Sequence, residues 1–290
     1  MVQIRSVLER RLGLLDWAVT ERSGHAIELA RSAAAQGRGL IIAIGGDGTL
    51  HEVANGVLDA GGHCAVGYVG AGTGGDFRRT LGVDHRLDRY VEAIASGRER
   101  RIDVGRVRYR AHDGELRVCW FVNILSLGMG GLVDAYVSET TKVLGGRAAY
   151  FWASAKALAR CQRARLDCHV SLAGEPRTKS VETYMMAICN GRYFGSGMNV
   201  APMADPGDGR FEVVSLDAPS KIAFAIASRG IYGGKHVSAP GFLHFGCDRI
   251  SIDLENDAAR GVFLLDVDGE PLGGLPVDVE LVPQALTLRI

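Results

Sequence analysis

The clearest pattern in the chain is a switch of hydrophobic period between residues 40 and 58. Leu40, Ile41, Ile42, Ala43 and Ile44 form an unbroken apolar run, as in a short buried strand. Gly45, Gly46, Asp47, Gly48 and Thr49 interrupt it, and Leu50, Val53, Ala54, Val57 and Leu58 then recur at helical spacing. The segment reads strand, glycine turn, helix. Glycines let a backbone approach a bulky anion, and a helix start offers unpaired N–H groups to it. Asp47 suits a sugar hydroxyl, a nucleophile or phosphate-bound Mg²⁺ better than a bare phosphate. A plain strand-to-helix turn with Thr49 as cap needs only one glycine and one hydroxyl.

The same pattern recurs downstream. Cys64–Val69 is a second apolar strand that runs into Gly70, Ala71, Gly72, Thr73, Gly74, Gly75, Asp76 and Phe77, a second glycine turn opening a helix. Upstream, Ser6–Trp17 carries an amphipathic helical pattern, Trp17–Thr20 reads as a short strand, and Ser23-Gly24-His25 opens a helix that ends near Gln36. Alternating strands and helices predict a parallel sheet with both glycine turns at its carboxyl edge, facing one cleft.

Tyr90–Ser96 is helical in pattern, and residues 97–101 read as a charged link. Beyond it the period becomes mostly that of strands. Ile102–Arg110 and Leu116–Leu125 flank a hairpin turn at 111–115. After helical stretches at Leu132–Val137 and Arg147–Cys161 come strand patterns at Arg165–Ala173, Val181–Cys189, Phe211–Leu216, Arg249–Asp253, Gly261–Val267, Val277–Val282 and Leu286–Ile290. A helix at Ser220–Arg229 starts with Ser220 as its cap. The fold class expected is therefore α/β: a parallel-sheet domain over residues 1–100 and a β-rich, sandwich-like domain over 101–290.

Composition narrows the function. The chain has 290 residues, 47% hydrophobic and 23% charged, with a formal net charge of +0. Nucleic-acid binding would want a basic excess, so no nucleic-acid partner is expected. Six scattered cysteines without a C-x-x-C pair, together with the charged N-terminus, fit reduced thiols in a cytoplasmic protein. Val118–Val137 is long enough to span a bilayer but contains Asn123, Ser126, Asp134 and three glycines, which favours strand, turn and helix in a soluble core. Arg78, Arg79, Arg86, Arg89, Arg98, Arg100 and Arg101 could form a basic face toward anionic headgroups, while no amphipathic insertion helix is evident. Gly70–Gly75 also satisfies G-x-G-x-x-G, but Asp76 would crowd a dinucleotide pyrophosphate; Walker-type and zinc-hydrolase motifs are absent.

Five stretches in order resemble the diacylglycerol kinase catalytic family, which includes bacterial soluble lipid kinases and sphingosine kinases. They are Thr20 with Gly24-His25-Ala26; Gly45–Thr49 with Glu52 and Gly56; Gly72–Phe77; Asn190-Gly191 through Pro202 with Asp208-Gly209; and Asp268-Gly269-Glu270. The resemblance implies ATP and Mg²⁺ as cofactors and a lipid hydroxyl as acceptor, diacylglycerol-like or sphingoid-like. It implies nucleotide contacts at Thr20, Gly45, Gly46, Asp47, Gly48, Thr49, Leu50, His51, Gly72, Thr73, Gly74 and Asp76. It implies Asp208 as the ligand of a structural Mg²⁺, with backbone carbonyls near Asp205 and Arg210 helping, and catalytic roles for Glu270 or Asp268 as base, with Asp47. Asp268 and Glu270, two apart, would share one strand face.

Phosphoryl transfer independently asks for phosphate donors, a carboxylate for Mg²⁺ and a base near the attacking hydroxyl. The lipid would be met at a membrane surface, by a cytoplasmic protein peripheral to the inner face; a homodimer is compatible. An NAD kinase-type enzyme shares the first glycine turn, and a non-catalytic binding relative is the third reading. The family opens with a strand ending in an N-P-x-S-G loop, which has no counterpart before Ser6, and its asparagine is Gly75 here. The expectation is either an upstream start or a nucleotide site lacking that part.

Overall fold

The computed structural model describes residues 2–72, 74–111, 113–140, 153–154 and 156–290. Thr73, His112 and residues 147–152 and 155 of the expected helix at 147–161 lie outside the described residues; 153–154 and 156–160 are helical.

The N-terminal half alternates as its periodicity requires. Helices α1 (Val2–Leu12) and α2 (His25–Ala35) precede β1 (Leu40–Gly45), α3 (Asp47–Asp59), β2 (Ala65–Gly70), α4 (Asp76–Leu81) and α5 (Leu87–Ala95). Strands β1 and β2 pair in parallel, Ile42 opposite Gly67. The apolar helix faces meet below them: Leu50, Ala54, Val57, Val66 and Ile94 are buried in one cluster. Trp17–Thr20 forms no strand, because no neighbouring strand among the described residues pairs with it. It lines an apolar cavity of about 570 Å³ whose other wall is β1 from Leu40 to Ile44, with Leu8, Leu15, Leu29 and Val53 closing it. Among the described residues strand β1 pairs only with β2, so its second edge faces this cavity.

The C-terminal half is a curled, mainly antiparallel sheet. It contains β3 (Glu99–Ala111), β4 (Leu116–Phe121), β5 (Ile124–Gly128), helix α6 (Met129–Thr140), β6 (Ala164–Leu172), β7 (Glu175–Thr183), β8 (Met185–Cys189), the short pair β9 (Tyr193–Phe194) and β10 (Met198–Asn199), β11 (Phe211–Leu216), β12 (Phe242–Cys247), β13 (Arg249–Leu254), β14 (Leu264–Val267) and β15 (Glu270–Arg289). The expected class is met: an α/β half followed by a β-rich half.

Several element bounds differ from the sequence reading, each for a local reason. Residues 99–101 are not a link but the start of β3, because Glu99, Arg100 and Arg101 find partners in Arg289, Leu288 and Thr287. Strands expected at 277–282 and 286–290 are one strand, β15; Pro276 and Pro283 sit inside its two register shifts, where a missing N–H costs nothing. The expected strand 116–125 breaks at Val122 and Asn123, where the backbone N–H groups turn to a side chain instead of the ladder.

Strands β3 and β15 stitch the halves together. Ile102 and Val104 of β3 sit in the N-terminal core with Leu286 and Leu288 of β15. Val107 and Tyr109 sit in the C-terminal core with Val277 and Val279. The end of β15 pairs in parallel with β2, Leu288 opposite Val66, so the last strand of the chain completes the first sheet. All six cysteines are free.

Candidate active site

The two glycine turns touch. The Ala71 N–H donates to the Gly45 carbonyl at 2.8 Å. A Cβ on Gly72 would lie 2.7 Å from the Gly46 Cα, so no side chain fits between the turns. What fastens them is Asp47. Its carboxylate accepts from the N–H groups of Gly75 (2.8 Å), Asp76 (3.2 Å) and Phe77 (3.3 Å), capping α4 from the first residue of α3. Gly75 has φ +63°, the left-handed region that glycine and asparagine tolerate best, so the departure from the family asparagine keeps the backbone it requires.

Helix α3 itself begins at Gly46 with no side-chain cap. Its first N–H groups therefore remain available as donors at the crevice. Of the expected nucleotide contacts, Gly45, Gly46, Gly48, Thr49, Gly72 and Gly74 line these turns. Leu50 and His51 do not present side chains there. Leu50 is buried in the core, and His51 faces Asp268. Thr20 and Thr49 both line the apolar cavity beside β1.

Asp268 and Glu270 come from the β14–β15 hairpin. Asp268-Gly269 is its two-residue turn, both residues at positive φ (53° and 94°), and Val267 pairs with Glu270. Asp268 is thus in a turn rather than on a strand, and the shared-face argument fails, because turn backbone has no two-residue alternation. The hairpin nevertheless sends both carboxylates toward α3. Asp268 Oδ1 accepts the N–H groups of Asn123 (3.0 Å) and Ile124 (2.9 Å), and its Oδ2 accepts that of Val122 (2.9 Å). His51 Nδ1 lies 3.1 Å from the same Oδ2; a carboxylate only accepts, so that nitrogen carries the proton.

Glu270 is the opposite case. No hydrogen bond to its carboxylate is present among the described residues. Its Oε1 lies 3.4 Å from where a Cβ on Gly48 would stand, directly over the start of α3. Burial pushes its pKa above 4.5; Glu52 and Asp268 push the same way, and His51 pulls it back.

Further polar side chains hold the walls. Glu52 accepts from the N–H groups of Gly24 (2.8 Å) and Ala26 (3.0 Å), fixing the start of α2 to α3. Asp76 is buried; its Oδ1 pairs with Arg79 (2.6 Å) and its Oδ2 accepts the Ser196 N–H (2.8 Å), pinning the β9–β10 hairpin to the second glycine turn. Burial raises the Asp76 pKa, opposed by that N–H and reinforced by Asp47. Asn55, which the sequence reading passed over, donates to the Trp120 carbonyl (3.0 Å) and accepts its N–H (2.8 Å). An asparagine inside an apolar helix, where it is a poor helix former, was the available signal. Asn190 joins the carbonyls of Asp103 and Val122, both at 2.8 Å.

The residues expected at a metal are arranged otherwise. Asp205 pairs with Arg100 (2.6 Å), and Asp208 with Arg210 (3.3 Å); Arg210 also reaches the buried Glu212 (3.0 Å). Burial raises the Asp208 pKa, opposed by the Arg210 N–H and guanidinium. Among the described residues no group of three or more acidic, histidine or cysteine side chains could hold a metal ion. Asp205 and Asp208 each face a guanidinium, so a cation ligated by Asp208 would have to displace Arg210. The expected basic face is likewise neutralised in large part: Arg79, Arg86, Arg89 and Arg100 each face a carboxylate. Among the described residues no helix is long and apolar enough to cross a membrane.

Comparison with known proteins fits this arrangement. Residues 1–107 match the diacylglycerol kinase catalytic domain, and residues 123–290 match the YegS C-terminal NAD kinase beta sandwich-like domain. A protein named "Probable lipid kinase YegS-like" from Pseudomonas savastanoi pv. phaseolicola is 29% identical over 281 residues, covering 95% of this chain and 84% of that one. The Bacillus subtilis protein named "Diacylglycerol kinase" is 25% identical over 258 residues, covering 89% and 79%. A crystal structure of a diacylglycerol kinase from Bacillus anthracis str. Sterne superposes with a TM-score of 0.70 at 20% identity, covering 98% of this chain and 87% of that one, a likeness of fold. With both halves matched in order, this chain belongs to the diacylglycerol kinase catalytic family.

Proposed function

We propose that the protein transfers the γ-phosphoryl group of MgATP to the hydroxyl of a diacylglycerol-like or sphingoid-like lipid. The observation that carries this is the position of Glu270: a carboxylate with no hydrogen bond among the described residues, held over the open N-terminus of α3 where two glycine turns meet. Helix N–H groups at that point suit the transferring phosphate. A carboxylate beside them suits the incoming hydroxyl, whose proton it accepts as the phosphate is attacked. Raising its pKa by burial strengthens it as a base.

In this reading Asp268 is a positioning residue. Its oxygens are taken by three backbone N–H groups and His51, so it fixes the hairpin that aims Glu270 rather than accepting the proton itself. Asp47 likewise holds the second turn against the first. Metal enters as part of MgATP, and no step depends on the turn at 205–210. The relatives' names support a lipid acceptor; no feature of the crevice argues for NAD in its place.

The test is γ-labelled ATP with mixed lipid micelles. Label in the organic phase is the expected outcome. Label on added NAD, or lipid binding without transfer, overturns the proposal.

A further inference from the structure

From Ala218 to Cys247 the chain carries no aspartate or glutamate, in a protein whose formal net charge is +0. This stretch packs as helix Lys221–Ser228, two short 3₁₀ turns (Arg229–Gly233 and Lys235–Ser238) and β12. Phe224 and Ile231 face inward and are buried. The outer stripe is also apolar: Ile222 is 75% exposed, Ile226 61% and Tyr232 58%. Ile222, Ile226 and Arg229 follow i, i+4, i+7 spacing, so the guanidinium continues the isoleucine stripe. Arg229 and Lys235 are exposed and make no ion pair among the described residues, in contrast to the arginines near the crevice. In sequence the helix reads as apolar throughout, and only its place at the surface reveals the second face.

We infer that this stripe, Ile222, Ile226 and Tyr232 with Arg229 and Lys235, is the surface by which the protein docks on an anionic lipid bilayer. Large exposed aliphatic and aromatic side chains flanked by unneutralised cations match an acyl boundary beneath anionic headgroups. The charge argues for this occupant over a second copy of the chain, whose identical basic stripe would repel it. The surface is tied to the crevice wall. His236 donates to the Val200 carbonyl at 2.8 Å, a Cβ on Gly234 would stand 3.3 Å from Asn199, and the β9–β10 hairpin carrying Asn199 is pinned by Asp76 to the second glycine turn. The inference adds a location to the proposed lipid kinase reading, but its test needs no turnover.

The experiment is co-sedimentation, without nucleotide, on vesicles of phosphatidylcholine alone and of phosphatidylcholine mixed with phosphatidylglycerol. Binding to the mixed vesicles that weakens with salt is expected. R229Q/K235Q removes two charges and should lower the partition roughly 25-fold. I222S/I226S should lower it further, with melting temperature and turnover of a short-chain, monomeric lipid unchanged in both variants. All the substituted side chains are exposed, and the charge variant alone carries the test should the serine variant fail to fold. Unchanged partition in the charge variant, equal binding to neutral vesicles, or a dimer that the variants dissociate would overturn the inference. Vesicle binding that disappears in the variants, beside absent phosphoryl transfer, would support the docking surface while refuting the kinase reading.

Discussion

In the crevice, carboxylates reach the backbone of distant segments; in the turn at 205–212, Asp205 and Asp208 meet arginines and the backbone two residues on. Asp47, Asp268 and Glu52 together take backbone N–H groups from three separate segments, and Asp76 takes one from a fourth. Asp205 and Asp208 face Arg100 and Arg210. A carboxylate that caps backbone orders chain segments. One that pairs with an exposed guanidinium mostly balances charge, and is worth little in water. Against both, Glu270 stands out by having neither kind of partner among the described residues. The difference separates residues that build the crevice from the residue left free to act in it.

The sharpest way to break the comparison is E270Q. If Glu270 is the base, turnover should fall by roughly 10²–10⁴-fold. The melting temperature should stay close to wild type, because no hydrogen bond is lost among the described residues. Near-normal turnover in a labelled-ATP assay would return the role of base to Asp268. The pH profile sharpens the same point. Glu270 acts ionised, and burial raises its pKa above 4.5, so the acid limb of kcat/KM should lie above that value, with the rate rising as pH rises through it. A limb at or below the ordinary glutamate value would mean that another group titrates.

D268N tests the contrasting role. The amide keeps one acceptor and turns the other into a donor facing backbone N–H groups, so buried donors lose their partner. We expect a loss of about 3 kcal/mol. For a chain of this size that lowers the melting temperature by very roughly 6–12 °C. Activity should fall as well, because Glu270 is aimed by the same hairpin. A variant with wild-type stability and no turnover would make Asp268 catalytic rather than positioning.

These roles were unequally legible in the sequence. The strand–turn–helix repeats around Gly45 and Gly72 were plain, because the hydrophobic period changes at each turn and local pattern dictates local structure. The convergence of Asp268 and Glu270 on α3 followed from the family motifs but not from spacing, since it depends on β15 pairing with β2 and β3 across most of the chain's length. What was hidden is hydrogen-bond allocation. Nothing in Gly-Gly-Asp-Gly-Thr says that Asp47 will cap α4, or that Glu52 will cap α2, because both partners are set by tertiary packing. The unbroken strand expected at 116–125 failed for the same reason: Asp268, far along the chain, takes the N–H groups that a ladder would have used.

The smallest effects are expected at the arginine-paired turn, and they complete the contrast. Asp208 and Arg210 are both partly exposed, so D208N should cost only about 0.2–1 kcal/mol. If Asp208 instead held a resident divalent cation, its loss would remove a ligand that binds the folded state alone, and stability would depend on metal concentration. Melting curves measured without nucleotide, with excess Mg²⁺ and with a chelator, separate the two. For wild type and for D208N alike, the curves with Mg²⁺ and with chelator are expected to superimpose. A Mg²⁺-dependent rise in wild type that D208N abolishes would show that Asp208 can exchange Arg210 for a metal, and the distinction between backbone-capping and charge-balancing carboxylates would then hold only for the metal-free protein.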